Sequence, residues 1–245
     1  MKKVLVISDN EGLLNRFRQL LEKKDLRSRG IDFEFAFSYF HREMLEKFKG
    51  ANWIKPINVK EDWKDLIVEY NMVFSLHCKQ LFPNELVSQI KCINIHPGLN
   101  PFNRGWFPQV FSIINGLPLG ATVHEIDTEL DHGPIICQKE VEIESWDTSL
   151  TAYEKVLDAE MELLDQYLEL ILEENYSTFL VKEGNLNLKK DFDELCELNL
   201  DEKDSFQNHI NKLRALTHGE YSNAYFYDKN GKKVYVTVQL KREES

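Results

Sequence analysis

Short apolar runs alternate with helical patterns through the first hundred residues, and this alternation limits the fold more than any other feature of the chain. Lys3–Ser8 reads as a strand, Leu13–Lys24 as an amphipathic helix and Phe33–Phe37 as a second strand. Glu43–Phe48 and Asp62–Glu69 pattern as helices, Met72–Leu76 as a strand, Asn84–Ile90 as a short helix and Cys92–His96 as another strand. Strands that are apolar at nearly every position are buried on both faces, as parallel strands joined by crossover helices are. The expected class is therefore α/β, a mostly parallel Rossmann-like sheet with helices on both faces. Ligands of such sheets sit beyond the carboxyl ends of the strands, here Asp9–Glu11, His77–Gln80 and the stretch 93–108. Neither GxGxxG nor GxxxxGKS follows the first strand, which offers only VISDNEG, so a dinucleotide-binding domain or a P-loop enzyme is disfavoured.

Further along, Phe107–Asn115 patterns as a helix, and Gly120–Asp127 and Ile135–Ile143 as two strands joined through TELDHGP, whose Asp, Gly and Pro suit a tight turn. Thr148–Asn175 forms a long amphipathic helix, with Asp147 or Thr148 as its N-cap. The composition shifts near Tyr176. Residues 1–176 are expected to form the main domain, and 177–245 a C-terminal extension ending in a β-hairpin around Lys229-Asn230-Gly231. The Tyr- and Phe-rich face of that hairpin calls for cover, and a subunit contact in a homodimer is expected.

Charge and cysteine content exclude several classes. The net charge is −11 with no stripe of Lys or Arg, the opposite of what phosphate-gripping nucleic-acid binders need. Much of the acid lies between Glu140 and Glu174 and reads as the solvated face of the long helix. The four cysteines, Cys78, Cys92, Cys137 and Cys196, form no CxxC pair and read as free thiols in or near the core, with no metal site expected. The apolar run of MKKVLVISDN is too short for a signal peptide, and nothing approaches the roughly 18 apolar residues of a membrane span, so a cytoplasmic protein is expected.

Three polar residues stand out at strand ends. Asn94 and His96 are two apart on one strand and so share a face, and Asp131 lies in the loop after another strand. Taken singly they fit a cap, a structural histidine and a turn residue. Together they offer a donor for an oxyanion, a group that exchanges a proton near neutral pH, and a carboxylate to orient it. Neighbouring parallel strands would bring the three to one edge of the sheet. No Ser or Cys is placed as a nucleophile, so the nucleophile is expected from a substrate. His124, in mid-strand, reads as a core or supporting histidine, and His132 as turn-exposed.

Asn94-Ile95-His96-Pro97, Pro101, Arg104-Gly105, Gly120-Ala121-Thr122-Val123-His124 and Asp131-His132-Gly133-Pro134-Ile135 together resemble the signature of the N10-formyltetrahydrofolate-dependent formyltransferases. The similarity spans roughly residues 1 to 175. Within that family, NPFNRGWFPQVFSI (100–113), HCKQLFP (77–83) and RALTHGEYSNAYF (214–226) look most like the sugar N-formyltransferases, above all those acting on dTDP-4-amino-4,6-dideoxyglucose. The resemblance implies transfer of a formyl group from N10-formyltetrahydrofolate, as co-substrate, to the amine of a nucleotide-linked amino sugar for lipopolysaccharide O-antigen. It puts the catalytic roles on Asn94, His96 and Asp131. The pterin is expected between the backbone of Lys79, Gln80 and Leu81 and the loop of Asp127, Thr128 and Glu129. Asn10, Arg104, Trp106, Phe107 and Tyr221 are expected at the sugar nucleotide. Where many members carry Ser and Leu after the His, this chain has Pro97-Gly98-Leu99-Asn100, which bears on the substrate mouth. Whether His96 acts as base or as oxyanion donor stays open at this stage. So do transfer to glycinamide ribonucleotide and a catalytically silent nucleotide-sugar binder. A tRNA acceptor is disfavoured by the 11 Lys/Arg against 12 Asp/Glu of residues 177–245.

Overall fold

Two parallel neighbours flank the first strand, and the rest of the sheet grows outward from them. The structure, a computed structural model, describes residues 1–243. In chain order its first elements are β1 (Lys2–Ser8), α1 (Glu11–Lys24), β2 (Ile31–Ser38), α2 (Arg42–Lys47), β3 (Ile54–Ile57), α3 (Trp63–Glu69), β4 (Met72–Leu76), α4 (Asn84–Val87) and β5 (Lys91–His96). Then come β6 (Arg104–Gly105), α5 (Pro108–Asn115), β7 (Leu119–Glu125), β8 (Ile135–Val141) and α6 (Ser149–Leu172). The C-terminal part carries β9 (Leu186–Asn187), α7 (Lys189–Cys196), α8 (Phe206–Leu216), β10 (Thr217–His218), β11 (Tyr221–Ser222), β12 (Tyr225–Tyr227) and β13 (Lys233–Tyr235). A seven-stranded sheet has the order β3-β2-β1-β4-β5-β7-β8, and its pairs from β3 to β5 are all parallel. The mostly parallel sheet expected from sequence is present. One pairing departs from expectation: β7 runs antiparallel to β5, with Asn94 opposite His124.

The chain divides into two compact units. The first comprises Met1–His96, Thr122–Gln138 and Glu160–Val181. Val4, Leu5, Val6 and Ile7 of β1 are fully buried, as a central parallel strand requires. On one face Leu5, Ile7, Ile57, Leu66, Val73, Leu86 and Cys92 make a single cluster. Phe17 of α1 meets Phe33 and Phe74, with ring centroids 6.2 and 6.3 Å away. β3, unexpected from sequence, contains Pro56 and sits at the sheet edge, where the missing N–H costs no ladder bond. Asn10 caps α1, its side-chain oxygen accepting from Leu13 N–H at 3.0 Å.

The acidic side of α6 is the solvated face expected, and cations from the neighbouring elements pair with its exposed carboxylates. Lys24 Nζ reaches Asp165 and Glu169 at 3.1 and 3.3 Å, Arg29 pairs with Glu169 and Glu173, and Lys2 meets Glu174 at 3.1 Å. Glu160 on the same helix is fully buried. Val156, Glu160, Leu164 and Leu168, spaced four apart, are all buried, so Glu160 occupies a core position on the apolar stripe. Among the described residues no helix is long and apolar enough to cross a membrane. All four cysteines are free, and burial pushes the Cys92 and Cys137 thiols up to about 12.

The second unit comprises Pro97–Ala121, Lys139–Ala159 and the chain from Lys182 onward. Phe107, in the left-handed region, caps α5 directly before Pro108 at its first turn. α5 packs against α8, whose Arg214 donates to the carbonyls of Glu144 and Asp147 at 3.0 and 2.7 Å. The buried Asn103 ties this unit's loops together. Its Oδ1 accepts from the side chains of Asn185 and Asn115, and its Nδ2 donates to Ser112 Oγ at 2.9 Å. The expected hairpin is β12–β13, closed by Asp228, whose carboxylate accepts from the N–H groups of Asn230 and Lys232.

His218 supplies a pH-dependent element of this unit. Its Nδ1 lies 3.0 Å from Ser149 Oγ, its ring stands 5.7 Å from Tyr153 and 5.8 Å from Tyr221, and burial lowers its pKa below the ordinary 6.5. A base whose folded pKa is lowered takes up its proton in the unfolded chain first. Stability is therefore full above pH 6.5 and declines as the pH falls from there toward the lower folded value. Denaturant titrations are expected to show this decline in the wild type, and a shallower one in His218→Gln.

Candidate active site

Asn94 and His96 sit two residues apart near the end of β5 and face the same side of the strand. Because β7 is antiparallel to β5, the expected meeting of parallel strand ends does not bring Asp131 to them. The loop after β7 doubles back instead. Ile126 N–H donates to Cys92 O at 2.8 Å and Glu125 N–H to Pro134 O at 2.9 Å, folding residues 126–134 against the strands. Asp131, in the left-handed region with φ of 49°, then turns its carboxylate onto β5. Asn94 Nδ2 donates to Asp131 Oδ1 at 2.9 Å, and His96 Nδ1 lies 3.5 Å from Asp131 Oδ2. His96 and Asp131 are both buried.

His124 completes the cluster. Its Nδ1 is 2.7 Å from the Glu125 carbonyl, so that nitrogen carries the proton, and Nε2 is left to accept from Asn94 Nδ2 at 3.1 Å. Asn94 thus spends both amide hydrogens, one on Asp131 and one on His124. Its oxygen-holding role expected from sequence requires it to exchange one of these bonds. As the groups stand, Asn94 fixes Asp131, and Asp131 faces His96. A buried imidazole beside a fixed carboxylate can take up a proton and donate it, and can stabilise negative charge on a neighbouring oxygen. Gly133 is what lets the loop close, since a Cβ there would lie 1.9 Å from the Glu125 carbonyl oxygen. Gly133→Ala is expected to displace Asp131 and cut kcat by about tenfold to a hundredfold, the range of small misplacements of reacting groups. Steady-state kinetics on the folded variant checks this.

The other residues expected at the site fall into three groups. Lys79 N–H donates to Asp9 Oδ2 at 2.7 Å, and the Gln80 side chain bonds Val59 N–H, the Ile57 carbonyl and Ser38 Oγ, while Leu81 is exposed. Asp127 accepts from Glu129 N–H and pairs with His132 at 2.7 Å, and Thr128 and Glu129 are exposed. Both loops flank one apolar cluster, through Cys78 and Ile126. In the second unit Arg104 is buried and pairs with Glu183 at 2.8 Å, the Trp106 ring lies tilted 5.6 Å from that of Phe107, Phe107 packs on Phe192 at 4.2 Å, and Tyr221 is exposed.

Comparison with known proteins matches this arrangement to a family. The model described as "Formyl transferase" matches residues 4–168, two thirds of the chain. The chain belongs to the formyl transferase family. A second model, the N-formyltransferase dimerization C-terminal domain, matches residues 191–242 of this formyl transferase. Over 188 residues, 76% of this chain and 80% of the relative, it is 50% identical to the dTDP-4-amino-4,6-dideoxyglucose formyltransferase of Mycobacterium bovis, and equally to that of Mycobacterium tuberculosis. Among solved structures it is similar to a sugar N-formyltransferase from a Shewanella species, with TM-score 0.95, 42% identity and full coverage of both chains. It is also similar to a 4-N formyltransferase from Francisella tularensis, with TM-score 0.93, 43% identity and 99% coverage of both. The family read from the separated sequence blocks is the family found.

One pairing in this formyl transferase was not read from the sequence, although His77 was named there within the strand-end segment His77–Gln80. His77, the first residue after β4, lies 2.7 Å through Nε2 from Oε1 of the buried Glu160. The signal was a Glu on the apolar stripe of a helix, masked by the acidic residues around it. Nothing in the sequence marked His77 beyond its place at a strand end.

Proposed function

We propose that this chain transfers the formyl group of N10-formyltetrahydrofolate to the amine of a nucleotide-linked amino sugar, dTDP-4-amino-4,6-dideoxyglucose. The observation that carries the reading is the contact of Asn94 and His96 with the buried Asp131, in a chain that over 188 residues is 50% identical to enzymes named for that substrate. The neutral amine attacks the formyl carbon, a carbon–nitrogen bond forms, and negative charge develops on the former carbonyl oxygen. His96 takes up the proton that leaves the amine, and the imidazolium so formed donates to that oxygen. Asp131 stabilises the charged imidazole, and Asn94 keeps Asp131 in line. Collapse breaks the bond from carbon to N10, which receives the proton. Holding both substrates together supplies much of the remaining acceleration. The pterin is assigned to the loops at 79–81 and 127–129, where exposed Leu81, Thr128 and Glu129 border backbone held by internal bonds. The sugar nucleotide is assigned to Arg104, Trp106, Phe107 and Tyr221 of the second unit.

Residues 1–176 form the catalytic domain in this reading and 177–245 the extension. The chain works as a cytoplasmic homodimer supplying formylated sugar for O-antigen. The dimer is supported by the match to a dimerization domain and by exposed Tyr221, Tyr227 and Tyr235 in the same stretch. The test incubates purified protein with N10-formyltetrahydrofolate and a panel of amines, with products read by mass. One formyl group added to the 4-amino sugar of the dTDP conjugate is expected. Formylation of glycinamide ribonucleotide in its place, or cofactor binding without turnover across the panel, would overturn the reading.

A further inference from the structure

The His77–Glu160 contact has the form of a device rather than of a stabilising bond. Glu160 is fully buried on α6, and its Oε2 has no hydrogen-bond partner. A buried carboxylate held through one oxygen is a poor source of stability, and an apolar residue of similar size usually serves the fold as well or better. The stripe position between Val156 and Leu164 suits such a residue. Glu160 therefore answers to its partner. His77 adopts φ of 58°, a conformation uncommon for non-glycine residues, although His takes it more often than most.

That turn starts the segment 78–81, which is fastened from several elements. Lys79 N–H goes to Asp9 just after β1, and the Gln80 side chain to Ser38 at the end of β2, to Ile57 at the end of β3 and to Val59 beyond it. Cys78 Sγ accepts from Gln80 N–H at 3.4 Å. The anchor from the α6 side acts on the left-handed residue itself. We propose that His77 and Glu160 are a positioning pair, which sets the left-handed turn after β4 and thereby presents the backbone of residues 79–81 to the folate co-substrate. This rests on the reading above that the segment receives the folate.

The test measures tetrahydrofolate binding by calorimetry, and separate KM values for formyl-folate and sugar nucleotide, on the full-length wild type, Glu160→Gln, His77→Asn and the double variant. Asn is chosen because it tolerates the left-handed turn but cannot reach Glu160 in the same way. The singles are expected to weaken tetrahydrofolate and raise the formyl-folate KM by about tenfold, within the range that misplacement gives. The sugar-nucleotide KM should stay within about twofold, and the double variant should be no worse than the worse single, as for groups acting as one unit. Unchanged folate affinity in folded variants, both KM values rising together, or failure of both single variants to fold would each overturn the pair's positioning role. If Glu160→Gln alone fails to fold, His77→Asn decides. A wild type that neither binds tetrahydrofolate nor transfers formyl overturns the proposed function instead, so the two failures are distinguishable.

Discussion

His96→Asn is expected to lower formyl transfer by about a thousandfold or more, while the affinity for the nucleotide sugar stays within about threefold. The imidazole is the one group of the buried cluster that can both carry the amine proton and donate to the developing oxyanion. General acid–base transfer is typically worth about 10² to 10⁴ in rate and a single oxyanion donor about 10² to 10³, so losing a side chain that serves both removes most of the chemical acceleration. Asn is close to His in reach and stays polar, so the buried site keeps its packing and Asp131 keeps a donor nearby. Turnover at saturating substrates, alongside sugar-nucleotide binding by calorimetry, checks the result. Near wild-type transfer would remove His96 from the chemistry.

Asp131→Asn is expected to cost about 10³- to 10⁴-fold in kcat through the histidine's tautomer. Asn94 Nδ2 donates to Asp131 Oδ1, so an amide at position 131 must turn its oxygen toward Asn94 and its NH2 toward His96 Nδ1. His96 Nδ1 then accepts, the ring proton moves to Nε2, and that nitrogen can no longer take up the amine proton. The same substitution in the serine protease triad has this consequence and about this size. Nitrogen-15 spectra of the imidazole report the tautomer directly and are expected to show Nδ1 protonated in the wild type and Nε2 protonated in the variant. A variant with the wild-type tautomer and a kcat reduced less than tenfold would leave Asp131 with a packing role only.

The sheet was legible because β1 and β4 are nearly continuous apolar runs, a pattern that burial on both faces demands, and because β5 carries the buried Cys92, Ile93 and Ile95. β3 was not, because four residues around a proline carry no such signal and only its edge position makes them a strand. The direction of β7 escaped for a different reason. It depends on how the 22 residues from Pro97 to Pro118 return to the sheet, and the one helix legible in that stretch does not say in which direction the next strand runs. The site shows the same split. Asn94, His96 and Asp131 were visible as residue types at strand ends, yet they meet through a loop that doubles back, with the left-handed Asp131 and the close-packed Gly133, and not through aligned parallel strands. His124 was placed as a supporting histidine, and it is the second acceptor for Asn94. Glu160 was lost among the acids of α6, because the count of charges hides the one that lies on the apolar stripe. In the extension, α7 and α8 expose much of their surface, so an alternating or helical apolar pattern is too faint to register there, whereas the Asp228–Lys232 turn declares the hairpin.

The distance from the sugar amine to His96 in a crystal of the full chain, grown with tetrahydrofolate and dTDP-4-amino-4,6-dideoxyglucose, tests the central claim most directly. The account predicts the amine nitrogen within direct hydrogen-bond reach of the imidazole, or one water away, at about 2.6–3.2 Å for each bond. Both substrates ordered in the structure, with the amine beyond the reach of His96 and Asp131 even through a water, would contradict it.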